Sequence, residues 1–180
     1  MSMSPKSSGL GLIQVYTGNG KGKTTAALGL ALRAWGRGLR VALIQFMKTG
    51  DEYGEIAALR KLSGIDLFQY GRDQLIVKGK HTTEDVRLAK QGLLKAEQAL
   101  NGKNYDVVIL DEVNVVAHFG IVSPEEVMDV VRSRASGVEV IMTGQKAPKM
   151  FIEEADLVTE MRMVKHPYDA GVLARAGIEY

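Results

Sequence analysis

The chain contains no cysteine. That single absence excludes a disulfide framework, a thiolate zinc site, an iron–sulfur cluster and a cysteine nucleophile. It is compatible with a reducing compartment without requiring one. An excess of one charge is missing too. The 23 lysines and arginines nearly cancel the 21 acids, leaving a formal +2, which argues against a nucleic-acid binder built on a basic stripe. No run reaches the 18 or so apolar residues of a membrane span. The polar start, and a short apolar stretch broken by Gln14, lack the form of a signal peptide. With 46% hydrophobic residues and little net charge, disorder is not expected. The expectation is a soluble, cytoplasmic protein with no nucleic-acid or membrane partner. Its 180 residues suit one domain, read as a flexible tail over residues 1–10 and a single domain over residues 11–180.

Short Val/Ile/Leu runs alternate with helical patterns. Strands are expected at Leu12–Tyr16, Val41–Phe46, Asp66–Tyr70, Val107–Leu110, Val138–Met142 and Leu157–Met161. Helices are expected at Lys23–Trp35, Gly54–Leu62, Thr83–Leu100, Pro124–Arg134 and Pro148–Ala155. Near-continuous apolar strands suit a parallel sheet covered on both faces. Strand–helix alternation then gives a three-layer α/β fold with a mainly parallel sheet. Ser123-Pro-Glu-Glu126 reads as a capping box with proline at the first helical position, and Thr82 with Asp85 as a weaker one. Gly36, Gly38 and Gly102 are expected to supply left-handed helix stops. Ligands of such sheets bind beyond the carboxyl ends of the strands. The loops after Tyr16, Phe46, Leu110 and Met142 are therefore the places to look.

The first of these loops reads Thr17-Gly-Asn-Gly-Lys-Gly-Lys-Thr24, between a strand and a helix. It satisfies the phosphate-loop pattern G-x-x-x-x-G-K-[ST] except that Thr17 stands for the first glycine. Gly18, Gly20 and Gly22 let backbone N–H groups turn inward and approach phosphate closely. The helix starting near Lys23 adds its positive end. Lys23 supplies a point charge for phosphate oxygens, and the Thr24 hydroxyl can ligate Mg²⁺. The bland alternative is a glycine-rich turn with incidental lysines. A second motif, Asp106-Val-Val-Ile-Leu-Asp-Glu112, puts two carboxylates directly after a buried strand. This is the Walker B arrangement, in which Asp111 or Glu112 reaches the metal directly or through water; its bland alternative is a pair of solvated acids. Together the motifs imply a nucleoside triphosphate and magnesium without saying which bond breaks.

Other signals are weaker. His81, His118 and His166 are too dispersed for a metal trio, with His81 read as exposed and His118 as a partly buried structural residue. Arg33 reads by default as a solvated helix-face residue. The C-terminal stretch from Thr159 to Gly171 reads as a solvated tail, except that Met161, Met163, Val164 and Tyr168 argue that part of it packs.

The combination of Gly18-Asn-Gly-Lys-Gly-Lys-Thr-Thr-Ala-Ala27, Gln45-Phe with Lys48, Val-Ile-Leu-Asp-Glu-Val-Asn114, Thr143-Gly, and the C-terminal Thr159-Glu-Met-Arg, Val-Lys-His-Pro-Tyr-Asp-Ala-Gly and Gly-Ile-Glu-Tyr180 is specific. It closely resembles the phosphate-loop class of corrinoid adenosyltransferases from Gly11 to Tyr180. The C-terminal signature discriminates most, because generic phosphate-loop ATPases lack it. The resemblance implies a RecA-like P-loop fold, usually a homodimer. It implies attack by the Co(I) of a corrinoid (cobalamin, cobinamide or a precursor) on the 5′ carbon of ATP, with release of triphosphate. A reduced flavoprotein or similar donor would generate the Co(I). By matching position, Gly18, Asn19, Gly20, Lys21, Gly22, Lys23, Thr24 and Thr25 hold the triphosphate, and Thr24 with Glu112 and Asp111 holds magnesium. Lys23, Thr24 and Glu112 form the catalytic set, and Arg33 matches an arginine that contacts nucleotide. Lys48, Arg162, Lys165 and His166 fall in family motifs and are placed only in the surroundings of the site.

Three departures accompany the resemblance. The Phe-Thr-Trp segment that enteric relatives use to displace the lower corrin ligand is replaced by Gly71-Arg-Asp-Gln-Leu-Ile-Val-Lys-Gly79, where Leu75, Ile76 or Val77 would have to supply apolar contact. Gln145 stands where many relatives have arginine. The longer N-terminal helix that covers the site in some relatives is expected to be missing. Outside the resemblance, a RecA-type ATPase acting on a macromolecule and a small-molecule kinase use the same two motifs.

Overall fold

A computed structural model of the chain describes residues 9–180 except Glu52 and Leu75. The expected tail over residues 1–10 therefore lies, apart from Gly9 and Leu10, outside the described residues. Six strands form one parallel sheet: β1 (Ile13–Thr17), β2 (Val41–Phe46), β3 (Ile65–Tyr70), β4 (Val107–Asp111), β5 (Glu139–Thr143) and β6 (Leu157–Glu160), in the spatial order β3-β2-β4-β5-β1-β6. Six helices connect or flank them: α1 (Lys23–Trp35), α2 (Gly54–Leu59), α3 (Thr83–Asn101), α4 (Val113–His118), α5 (Pro124–Arg132) and α6 (Lys149–Glu154).

Alternation along the strands divides the core in two. Ala42, Ile44, Phe46, Val108, Leu110, Val140 and Met142 face α3, α4, α5 and α6, while Val41, Leu43, Val107, Ile109 and Ile141 face α1 and α2. Because side chains alternate at period two, a continuous apolar run fills both cores at once. This is the three-layer α/β arrangement expected from the sequence. The connection leaving β1 runs toward β2 over one face, and that leaving β5 runs toward β6 over the other. Strands whose connections diverge open a crevice at their carboxyl ends, which places the functional site over β4, β5 and β1.

Helix ends mostly follow their sequence signals. Ser123 and Glu126 form the full capping box, with Pro124 in the first turn, and Thr82 with Asp85 forms an equally complete one. Of the three glycines expected to stop helices in the left-handed region, Gly38 does so at φ 77°. Gly36 stays helical because its N–H still donates to Leu32 O, and Gly102 passes straight into extended backbone. Helix α4 was not expected. Three of its six residues are valines, whose branched side chains favour strands over helices. In the C-terminal segment Met161 packs against the loop after β1 through backbone and side chain, whereas Val164 is 90% and Tyr168 68% exposed.

Asp85 does more than cap α3. Its carboxylate accepts two hydrogen bonds from Arg72 at 2.8 Å and further ones from the Thr82 N–H and hydroxyl. The loop after β3 is thereby clamped to the start of α3. The Arg72 hydrogen bonds, with those from Thr82, hold the Asp85 carboxyl down at about 2. A depressed carboxyl contributes stability that is complete above its unfolded pKa near 3.9 and is lost as pH falls through the folded value. We expect Asp85→Asn to cost about 2 kcal/mol at neutral pH. We also expect it to flatten the decline in urea-unfolding free energy between about pH 4 and 2; an unchanged pH profile would show that the clamp is not formed.

Candidate functional site

After β1 the chain turns through Gly18–Gly22 into α1, whose first residue is Lys23. The Lys23 ammonium folds back under the loop, donating to Gly18 O at 2.9 Å and Gly20 O at 2.7 Å. Burial lowers its pKa, against the opposing pull of Glu112 and Asp111. The loop also leans on the segment after β6. Gly20 N donates to Met161 O at 2.6 Å, Met161 N to Thr17 O at 2.8 Å, and Met163 N to the Asn19 side-chain oxygen at 2.9 Å. Gly18 has φ 95°, and a Cβ there would overlap Met161 O. A Cβ on Gly20 would lie 2.8 Å from the same oxygen. These two glycines are required by the close approach of the C-terminal segment.

Asp111 ends β4 and is fully buried. One carboxylate oxygen accepts from Thr24 Oγ1 at 2.9 Å and Thr143 Oγ1 at 2.6 Å. The other accepts from Gln45 Nε2 at 3.2 Å and Lys48 Nζ at 2.8 Å. Four donors thus reach one carboxylate from α1, β5, β2 and the loop beyond β2. Glu112 takes a left-handed turn at φ 64°, and its N–H donates to Thr143 Oγ1 at 3.1 Å. Burial and the neighbouring Asp111 charge raise the Glu112 pKa, and Lys48 and Lys23 oppose the rise. Behind it the buried Asn114 donates to Tyr16 O at 3.3 Å and Gly144 O at 3.0 Å, tying the ends of β1 and β5 to α4.

A cavity of about 620 Å³ opens in front of these groups, within the range of small-molecule and cofactor sites. It is lined by Lys21, Gly22, Lys23, Thr24, Thr25 and Glu112 from the expected set. Lys48, Leu28 and Tyr53 line it from the α1–α2 side, and the last four residues close its outer edge. Lys21 holds that edge, donating to Ile178 O at 2.8 Å and Glu179 at 2.9 Å. Hydrogen bonds from Arg175 and then Lys21 hold the Glu179 carboxyl at about 2. Gly18 and Asn19 face a second cavity of about 820 Å³ on the other side of the loop, beside Gln145, Lys146, Glu160 and Arg162.

Arg33 is not gathered in. It is exposed in the last turn of α1, ten residues and so about 15 Å along the helix from Lys23, and lines neither cavity. Among the described residues no three His, Asp or Glu side chains cluster as a metal site. His118 ends α4 with its Nε2 3.5 Å from Lys78 Nζ, His81 is partly buried rather than exposed, and His166 caps a short turn at Tyr168 N. Of the three apolar candidates after β3, Leu75 lies outside the described residues, Ile76 belongs to the core, and Val77 is 50% exposed. Lys48, expected only in the surroundings of the site, lines the cavity itself, and Tyr53 was signalled only by its loop after the second strand. The closure of the cavity by Gly177–Tyr180 had no local signal beyond the terminal motif.

The packing of Met161 against the loop makes one substitution informative. We expect Gly20→Ala to lower stability by about 1–3 kcal/mol through overpacking, read as an earlier urea-unfolding midpoint. An unchanged midpoint would show that the C-terminal segment does not press on the loop.

The family model described as ATP:corrinoid adenosyltransferase BtuR/CobO/CobP matches residues 9–180. A corrinoid adenosyltransferase of Escherichia coli K12 is 37% identical over 170 residues, covering 94% of this chain and 86% of the relative. One from Pseudomonas aeruginosa is 32% identical, covering 94% and 84%. The corrinoid adenosyltransferase CobA of Salmonella typhimurium is 36% identical, covering 94% and 86%. On the strength of a match that spans the phosphate loop, the buried acid pair and the terminal segment alike, the chain belongs to the ATP:corrinoid adenosyltransferase family.

Proposed function

We propose that the chain transfers the 5′-deoxyadenosyl group of ATP to the Co(I) of a corrinoid and releases triphosphate, in adenosylcobalamin synthesis or salvage. The observation that carries this reading is the phosphate loop closed over Lys23 and joined through Thr24 to Asp111, in a chain that matches the family over its described length. Co(I) is a strong nucleophile and needs no general base. The protein's tasks are to align the 5′ carbon with cobalt and to stabilise charge on a departing triphosphate.

The loop N–H groups other than that of Gly20, which Met161 O engages, and the N-terminus of α1 would face the phosphates, and Lys23 would leave its two carbonyl partners to bind them. Magnesium fits the donor set: the Thr24 hydroxyl and the Glu112 carboxylate, both on the cavity, are the hard oxygen ligands it prefers. They would hold it with the phosphates, while Asp111, already receiving four hydrogen bonds, orients the Thr24 hydroxyl. Bound there, the ion would neutralise phosphate charge. Gly18 to Thr25 form the triphosphate cradle. Arg33, exposed along α1, would need a nucleotide that extends beyond the cavity. The corrinoid, with its cobalt, is the second substrate, cobalamin, cobinamide or a precursor serving equally for the chemistry. A reduced flavoprotein or similar donor supplies the electrons that a chain without thiols cannot, and a homodimer working in the cytoplasm completes the reading. No helix of the described residues is long and apolar enough to cross a membrane.

Two outcomes test this. With MgATP and chemically reduced cobalamin we expect the light-sensitive spectrum of adenosylcobalamin and one triphosphate per turnover. Bound ATP with no spectral change, or ADP and phosphate as products, would overturn the reading in favour of a RecA-type ATPase or a kinase. Loss of a charge-assisted contact worth roughly 1.5–3 kcal/mol should make Lys23→Ala weaken ATP by about 10- to 100-fold in calorimetric titration, with the melting profile retained. Undiminished affinity would remove Lys23 from the site.

A further inference from the structure

We propose that Lys48 is a catalytic residue whose ammonium binds the triphosphate and takes up its charge as the bond to the adenosyl carbon breaks, with Asp111 as the positioning group that aims it. The proposal rests on the nucleotide reading above and adds a second cation to it. Lys48 lies two residues beyond β2, with Nζ 2.8 Å from Asp111 Oδ2 and 15% of its side chain exposed. That exposed part lines the same cavity as Lys23, Thr24 and Glu112. Asp111 therefore holds the phosphate-loop threonine on one oxygen and Lys48 on the other.

Hydrogen-bond capacity favours a ligand role. An ammonium has three donors. Among the described residues Asp111 takes one, the Tyr53 ring lies 5.6 Å away and the Glu112 charge acts on the ammonium without a hydrogen bond, so two N–H groups can turn to an anion in the cavity. Asp111, by contrast, already accepts four hydrogen bonds, about the capacity of a carboxylate. Burial works against the Lys48 charge, and Asp111, Glu112 and Tyr53 together outweigh it, so that its pKa is raised.

Backbone strain is spent on this placement. Met47 is left-handed at φ 57° although it is not glycine, a conformation that costs on the order of 1–3 kcal/mol and persists only where neighbours enforce it. The neighbours are the exit of β3. Met47 N donates to Tyr70 O at 2.9 Å, and Gly71 packs so tightly that a Cβ on it would overlap Met47 C and Lys48 N. The non-glycine left-handed residues of the described chain, Met47, Glu112 and Lys146, all follow the carboxyl ends of β2, β4 and β5. Strain is concentrated in the turns that leave the carboxyl ends of these strands. A lysine needed only to neutralise a buried acid would require neither this turn nor an open face.

The step balances without a base. The cobalt electron pair forms the Co–C bond, and the C5′–O pair leaves on the triphosphate, which gains one negative charge. No proton or external oxidant is consumed. Lys48 and Lys23 approach that charge from separate elements, the turn beyond β2 and the start of α1.

The test is calorimetric titration of inorganic triphosphate with magnesium into the full chain. We expect Lys48→Met to weaken binding at least tenfold and Lys48→Arg to restore most of the loss. The double variant Lys48→Met/Asp111→Asn, which removes the unpaired buried charge that would threaten the fold, should stay as weak as Lys48→Met. Unchanged binding in Lys48→Met, or wild-type affinity in the double variant, would reduce Lys48 to a counter-ion and overturn the proposal. In turnover, Lys48→Met should lower kcat by a larger factor than it raises the KM for ATP, and a change in KM alone would contradict charge uptake in the transition state. Triphosphate binding needs no corrinoid. A chain that binds triphosphate through Lys48 yet forms no adenosyl–cobalt bond would refute the functional reading and leave Lys48 assigned to phosphate.

Discussion

A carboxylate with no exposure to water must be satisfied by its neighbours, and Asp111 is satisfied by four. An unpaired charge at that depth would cost several kcal/mol, so the site can exist only while all its suppliers are in place. Topology makes this possible. β4 lies between β2 and β5, so Gln45 and Thr143 are in reach by strand register alone. Thr24 arrives from α1 and Lys48 from the turn beyond β2. Gln69 extends the network one strand further by donating to Gln45 at 3.1 Å. One buried acid thus fixes the relative positions of the Gly18–Thr24 loop, Glu112 and Lys48.

The rest of the site is arranged around that constraint. Thr143 both donates to Asp111 and accepts from Glu112 N–H, so the left-handed turn at Glu112 is held by the same hydroxyl. Asn114 fastens the ends of β1 and β5 from below, and the segment at Met161 presses the loop from the side. A loop held on three sides can present its N–H groups without reorganising when substrate arrives, which is the condition for effective electrostatic stabilisation of a leaving group. The last residues, clasped by Lys21, form the outer wall of the cavity.

How much of this the sequence discloses depends on the range of the interaction. Strands and phosphate loop are legible because each is written in a few adjacent residues: Val41–Phe46 and Lys23–Trp35 fall where the pattern puts them. Asp111 and Glu112 were legible as a pair, but not their division of labour, which depends on donors 63 to 87 positions away. Lys48 looked like a peripheral motif residue because its partner acid is one of those distant groups. The terminal clasp joins positions 157 apart and has no local pattern. Helix α4 escaped because its valines carry little helical signal. Arg33 keeps the solvated helix-face position that its place in α1 suggests, away from the cavity.

The central claim is that Asp111 holds elements from three strands and a helix in one arrangement. Amide hydrogen exchange on Asp111→Ala, compared with the unaltered chain, tests it most directly. The account predicts faster exchange together at Thr24, Lys48 and Thr143, with Val107–Leu110 and the helices behind them still protected. Faster exchange confined to the end of β4, with the phosphate loop and the β2 turn unchanged, would contradict it.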